Sequence, residues 1–188
     1  MAILNLREIQ NKINNLFNDL NNAIEKSRFS NEEKLKIEVL TVFNGFFKEH
    51  EIDFSSFIDY EVSKIGTLKI NGRLDALYGS LVIEFKQYNY LSNKTQLEEA
   101  LKQVKDKYLD KLPKPLRKNF VAIIFDGKHI VFINYDSDKD KWAHSFRKFD
   151  IYTLYDWLVF LSGLFKKIIT AQSLKTTFQS KHPWHEIS

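Results

Sequence analysis

The chain has 188 residues, of which 44% are hydrophobic, and this is enough for a single domain with a substantial core. The absence of cysteine excludes disulfide bonds and thiolate-metal sites. A formal net charge of +4 is a modest basic bias, which is compatible with phosphate contacts but identifies no partner.

Two amphipathic helices are predicted at the start of the chain. The first residues show no basic start followed by an apolar core, so we expect no signal peptide and a cytoplasmic protein. Apolar residues at helical spacing predict helices over 6–26 and 31–48, the second opened by a capping-box sequence at Ser30. Glu38 lies at the border of the second apolar stripe, where a carboxylate can reach into a cleft.

A β-hairpin is predicted after these helices. Residues 57–63 are expected to form a first strand, and 67–74 a second that pairs with 81–86 across a glycine turn. Because alternate side chains of a strand share a face, Glu84 and Lys86 become neighbours. The opposite face is expected to carry the core residues Leu81, Ile83 and Phe85.

Two carboxylates and an ammonium stand in and beside this apolar run, where charge is costly to bury. The hairpin would bring Asp75 opposite Glu84, close enough to share a hard cation such as Mg²⁺, which prefers oxygen ligands. A divalent ion neutralises phosphate charge and lowers the pKa of a coordinated water. Lys86 adds a charge that orients this water or stabilises the pentacovalent state. The pattern therefore favours metal-dependent cleavage of a phosphodiester.

The remaining elements complete the predicted architecture. A helix is expected over 95–109, and an Asp-Gly turn predicts a hairpin of strands 120–125 and 129–134. A short strand over 142–146 and an apolar helix over 151–164 follow. That helix is too short to span a membrane and is interrupted by an aspartate, so no membrane association is expected. The order predicts an α/β fold with a central mixed β-sheet flanked by α-helices.

The residues around the hairpin resemble a known family. Gly-Arg-Leu-Asp-Ala-Leu-Tyr-Gly at 72–79, followed by Val-Ile-Glu-Phe-Lys at 82–86, is similar to motifs of the PD-(D/E)xK nuclease superfamily. These two motifs look most like those of the amino-terminal nuclease domain in restriction-modification (nuclease-methyltransferase) fusion proteins. Leu74 stands where the family name has proline. The resemblance covers roughly 33–134 and implies a restriction-endonuclease-like core.

The resemblance also implies the roles of particular residues. Asp75 and Glu84 would be metal ligands, with Glu38 as an acidic residue that joins them from the preceding helix. Lys86 would be the catalytic lysine. Gln103 resembles the glutamine of a Gln-x-x-x-Tyr element, although Tyr108 comes one residue later than the pattern requires. The expected catalytic residues are thus Asp75, Glu84, Lys86, Glu38 and Gln103.

The expected activity is Mg²⁺-dependent hydrolysis of DNA, with Mn²⁺ able to substitute, in restriction or phage defence. The alternative is a nucleic-acid-binding or interaction module that keeps the fold and does not cut. RNA or a branched junction would suit the same chemistry. Double-strand cleavage would call for a homodimer, and a methyltransferase or specificity subunit is the expected fused or separate partner.

Residues 1–188 are expected to form a single nuclease domain. Within it, 1–28 would be an accessory helix, and 171–188 a tail that begins a linker to a further domain.

The Glu-x-Lys alternation and a cluster of basic residues can each also be explained without a catalytic or binding role. Alternating Glu and Lys also mark the solvated face of an edge strand. A basic cluster lies after the hairpin and would line a groove for a nucleic-acid backbone or simply face solvent. Its members are Lys102, Lys105, Lys107, Lys111, Lys114, Arg117 and Lys118.

Overall fold

The computed structural model describes residues 6–49, 57–58, 76–78 and 81–164. These residues form five α-helices, which are α1 (Leu6–Ser27), α2 (Glu32–Glu49), α3 (Lys94–Lys107), α4 (Lys114–Arg117) and α5 (Ile151–Leu164). They also form six strands, which are β1 (Phe57–Ile58), β2 (Ala76–Tyr78), β3 (Leu81–Phe85), β4 (Val121–Phe125), β5 (His129–Asp136) and β6 (Lys141–Lys148).

The described strands make one sheet in the order β1-β2-β3-β4-β5-β6. Neighbouring strands are antiparallel except for β3 and β4, which run parallel. Parallel neighbours need a long crossover, and here α3 and α4 lie on it. The predicted α/β class, a central mixed sheet with flanking helices, is confirmed.

Helices pack on both faces of the sheet. On one face, α1, α2 and α5 enclose an apolar core that includes Leu81, Ile83 and Phe85. On the other, α3 covers a second core that includes Val82 and Val104. The predicted parity of β3 is therefore confirmed, and both of its faces are buried. None of the helices in the described ranges is long and apolar enough to cross a membrane.

The helix starts depend on asparagine caps. The Asn31 side chain accepts a hydrogen bond of 3.0 Å from the Lys34 N–H, so Asn31 rather than Ser30 caps α2. The Asn93 side chain accepts from the N–H groups of Thr95 and Gln96 at the start of α3. Helix α3 ends at Lys107, before the predicted limit of 109, because a separate 3₁₀ turn follows it.

The β5–β6 hairpin is longer than predicted. Strands over 129–134 and 142–146 were expected, but β5 reaches Asp136 and β6 spans Lys141–Lys148. Tyr135, Asp136 and Lys141 lengthen the strands towards the turn, and Arg147 and Lys148 lengthen β6 at the other end, opposite Ile130 and His129. The Asp136 side chain stabilises the turn by accepting from the N–H groups of Asp138 and Lys139. The predicted Asp-Gly turn between β4 and β5 is present, with Gly127 at a φ of +82°.

Strand β1 contains the described part of the predicted first strand, whereas β2 begins two residues after the end of the predicted second strand. Only Phe57–Ile58 of the predicted 57–63 strand is described, and the predicted 67–74 strand lies outside the described residues. The β2–β3 register pairs Ala76 with Ile83 and Tyr78 with Leu81.

Candidate active site

Glu84 and Lys86 lie on the α3 side of the sheet. Glu84 belongs to β3, whereas Lys86 follows its last residue. The Lys86 N–H donates to the Phe125 carbonyl at 2.9 Å, so the ladder with β4 continues past the end of β3 and Lys86 keeps the strand parity. The two residues are only 4% and 7% exposed. A carboxylate and an ammonium are thus buried side by side.

Gln103 joins this pair from α3. Lys86 Nζ donates to Glu84 Oε1 at 2.9 Å and to Gln103 Oε1 at 3.1 Å. Gln103 Nε2 donates to the same Glu84 oxygen at 2.8 Å. The amide therefore presents its acceptor to the ammonium and its donor to the carboxylate. The structure brings together three of the predicted site residues, which we call the Glu84 triad.

The burial of the triad argues against the solvated-edge interpretation. Strand β3 has β2 on one side and β4 on the other, and helices cover both of its faces. Desolvating a carboxylate and an ammonium costs several kcal/mol per ion on the order-of-magnitude scale, and pairing repays this only with good geometry and further hydrogen bonds. Replacing a buried ion pair with two apolar side chains of similar volume often leaves the folded protein no less stable. Fold stability alone therefore gives little reason for the triad.

Asp126 fixes the backbone around the triad. Its carboxylate is fully buried and accepts from the Leu91 N–H at 2.7 Å, which ties the segment after Lys86 to the β4–β5 turn. The same carboxylate accepts from the N–H groups of Lys128 and His129. These bonds hold the approach to α3, and hence Gln103, against the sheet. From the sequence alone Asp126 is expected only in the turn, because its bond to the Leu91 N–H is a tertiary contact.

Glu38 lies apart from the Glu84 triad. It is half-buried on α2 and lines a cleft of about 540 Å³ between α1 and α2, opposite Lys12, Asn15 and Asp19. It makes no hydrogen bond or ion pair with any residue that the structure describes. Because α2 packs on the sheet face opposite the triad, the border of its apolar stripe turns towards α1. The structure therefore does not bring Glu38 to Glu84, Lys86 and Gln103, as the sequence led us to expect.

Asp75 lies outside the described residues. The described β2–β3 register ends with the pairing of Ala76 and Ile83. Asp75 precedes Ala76 in the sequence, and Glu84 follows Ile83.

Tyr108 and two members of the basic cluster contact other parts of the protein. Tyr108 is 1% exposed in the core beneath α3. Arg117 donates to the carbonyls of Leu112 and Asp110, and Lys114 pairs with Asp140 at 2.5 Å. The remaining members, Lys102, Lys105, Lys107, Lys111 and Lys118, form no ion pair within the described ranges. A solvated face accounts for Lys114 and Arg117 better than a phosphate groove does.

Tyr90 is a neighbour of the site that the sequence did not reveal. Its hydroxyl donates to Glu99 on α3 at 3.3 Å. Burial and the carboxylate of Glu99 raise the pKa of this hydroxyl, whereas the charge of Lys86 lowers it. Glu32, at the start of α2, raises the same pKa.

Within the described ranges, no group of three or more His, Cys, Asp or Glu side chains is placed to hold a metal ion. Comparisons with protein-family models, with curated proteins and with solved structures give no match for this chain.

Proposed function

We propose that the protein is a Mg²⁺-dependent endonuclease that hydrolyses phosphodiester bonds of DNA, and that it is a member of the PD-(D/E)xK superfamily. The observation that carries the proposal is the Glu84 triad, in which an inner strand presents a buried carboxylate and ammonium to an amide from the crossover helix. The spacing Glu-x-Lys alone is common. The burial of Glu84 and Lys86 beside Gln103, however, is not expected of a strand whose face is solvated.

The proposed metal ligands are Asp75 and Glu84. Mg²⁺ keeps several waters and needs only one or two carboxylates from the protein, so this donor set fits the ion. The hairpin that the sequence predicts would bring Asp75 opposite Glu84. Glu38 is not part of this proposal because it faces the α1–α2 cleft. When bound, Mg²⁺ would neutralise phosphate charge and acidify a coordinated water.

Lys86 and Gln103 supply the chemistry of the chain itself. A buried ammonium aimed at the reacting phosphate stabilises the charge that develops there, and does so more strongly than an exposed one. Gln103 orients both ions, since its amide bonds each of them. Gln103 is only partly buried, so the triad meets solvent beside α3, and this is the side from which a substrate would approach.

Restriction or phage defence, with a fused or separate methyltransferase or specificity subunit, is the biological setting that we propose. A homodimer would allow both strands to be cut. We propose a cytoplasmic location, where such DNA is found.

The decisive experiment compares wild type with Lys86→Ala on plasmid DNA in Mg²⁺, in Mn²⁺ and in EDTA. We expect nicks or breaks that need the metal and that fall at least about 100-fold in Lys86→Ala, as for the loss of a transition-state charge. Lys48→Ala is the matched control, because it removes the same charge from an exposed position in the last turn of α2. It should cleave like wild type.

Calorimetry with Mg²⁺ or Mn²⁺ gives a second readout. Glu84→Gln keeps the shape of the side chain and removes the charge, so it should lose metal binding. Equal cleavage by wild type and Lys86→Ala would indicate a contaminating nuclease. DNA binding without cleavage, together with no bound metal in wild type, would favour the non-cleaving module instead.

A further inference from the structure

The turn between α1 and α2 carries the most exposed of the exposed large hydrophobic side chains in the described ranges. The side chain of Phe29 is 94% exposed, whereas Ile37, Leu116, Phe146 and Tyr152 are 40–54% exposed. A single exposed apolar side chain is common on protein surfaces and needs no partner. Phe29 differs from the others in its neighbours.

Arg28 lies near two aromatic rings. Its guanidinium carbon is 5.6 Å from the ring centroid of Phe29 and 5.1 Å from that of Tyr88, within the range of cation–π attraction. The Arg28 side chain is 43% exposed, and its ion pair with Glu25 is long, at 3.5 Å. We call Arg28, Phe29 and Tyr88 the Arg28 stack. It presents aromatic faces and a positive charge together to solvent.

The stack is anchored at Tyr88. A Cβ on Gly127 would lie 3.1 Å from the Tyr88 ring and 3.1 Å from Ile24, so the glycine allows this ring to pack over the β4–β5 turn. The next residue, Asn89, has a φ of 63° and donates its N–H to the Asp126 carbonyl at 3.3 Å. The segment after β3 therefore holds the Tyr88 ring in place beneath Arg28.

The stack lies close to the candidate active site. Tyr88 follows Lys86 by two residues, and two residues span at most about 7 Å between their α-carbons. Tyr88 packs on the α1, α2 and α5 side of the sheet, whereas Lys86 faces α3, so a chain of nucleotides would reach both by crossing the end of the sheet beyond β3.

We infer that the Arg28 stack receives an unpaired base of the nucleic-acid substrate, with the Phe29 ring against the face of the base. This inference rests on the proposed nuclease function and adds that the DNA is unpaired at one base when it is bound, either in a single strand or at an opened base pair of a duplex. Every base has an aromatic face, so stacking on Phe29 is independent of sequence. Arg28 adds a cation that can contact the neighbouring phosphate or lie flat on a base.

The test measures binding by fluorescence anisotropy, with a labelled single-stranded oligonucleotide and with the fully paired duplex of the same sequence, in Ca²⁺ and in EDTA. We expect Phe29→Ala to bind the single strand about 5- to 150-fold more weakly, which corresponds to the loss of one stacked base. Phe29→Trp should retain wild-type affinity. Duplex affinity should not change, because its bases are already stacked.

Ile37→Ala is the control for loss of an exposed apolar side chain, and it should bind both oligonucleotides like wild type. Wild-type affinity of Phe29→Ala for the single strand, or no single-strand binding by wild type, would overturn the inference. An equal loss on duplex would overturn the assignment to an unpaired base.

Failure of the nuclease proposal looks different. In that case wild type does not cleave DNA, yet binding of the single strand still depends on Phe29. A 2-aminopurine base in the oligonucleotide gives an independent readout, since stacking on Phe29 should change its fluorescence in wild type and Phe29→Trp but not in Phe29→Ala.

Discussion

The two faces of β3 have the same degree of burial and opposite chemistry. Towards α1, α2 and α5, the strand presents Ile83 and Phe85 to an apolar core in which Phe85 meets Phe125 edge to face, with ring centroids 6.2 Å apart. Towards α3 it presents Glu84, and the ladder beyond it presents Lys86. One face contributes to folding through buried apolar area, whereas the other places charges where an apolar pair would serve stability equally well. Two residues of one strand can therefore be equally buried while only one of them contributes to the stability of the fold.

The largest expected effect on stability is on the apolar face. Phe85→Ala should lower the free energy of unfolding by about 3–5 kcal/mol, because it removes a fully buried ring and leaves a cavity against Phe125. Phe29→Ala is the same substitution at an exposed position and should stay within about 0.5 kcal/mol of wild type. Urea denaturation followed by circular dichroism measures both. Similar losses in the two variants would contradict the apolar core described for this face.

The polar face should respond in another way. Lys86→Met leaves the buried Glu84 carboxylate without its cation, and we expect a loss of about 3 kcal/mol, the lower end for a broken buried pair, since Gln103 still donates to Glu84. The double variant Glu84→Leu/Lys86→Met should regain this stability or exceed wild type, while both variants lose cleavage. A double variant as unstable as the single one would mean that the ion pair serves the fold.

The smallest expected effect lies at the far edge of the α3 side, where His144 on β6 is near Lys105. Burial and, to a lesser extent, the charge of Lys105 hold the pKa of His144 below its usual value of 6.5. The unfolded chain therefore binds this proton more readily, and stability should fall as the pH drops from about 6.5 towards the lowered pKa. By NMR titration, Lys105→Gln should raise the pKa of His144 without restoring its usual value. An unchanged pKa would show that Lys105 does not act on this histidine.

Much of the site follows from local sequence. The alternation of residues 81–86 correctly predicted that Glu84 and Lys86 share a face opposite the core residues of β3, because strand parity depends only on neighbours in the chain. The same rule predicted Phe85 in the core. Gln103 came from a resemblance, since its contact with Glu84 spans 19 residues and depends on how the crossover helix docks.

Other parts of the site depend on tertiary packing. A helical wheel places Glu38 at a border, but each stripe has two borders, and only the position of α1 shows which one faces a cleft. The capping of Leu91 by Asp126 and the contact of Arg28 with Tyr88 likewise join segments that are distant in sequence. No local pattern encodes such contacts, so sequence reasoning could not find them.

The single parallel pair in the sheet has a consequence for how the protein folds. Hairpins such as β4–β5 join segments that are close in sequence and form quickly, whereas β3 and β4 meet only after the chain from Lys86 to Phe120 has closed as a loop. Gln103 lies within that loop, so its bonds to Glu84 and Lys86 can form only once the crossover has docked. The Glu84 triad therefore cannot assemble until β4 has been synthesised and has paired, and the proposed cleavage activity would be one of the last signals of folding.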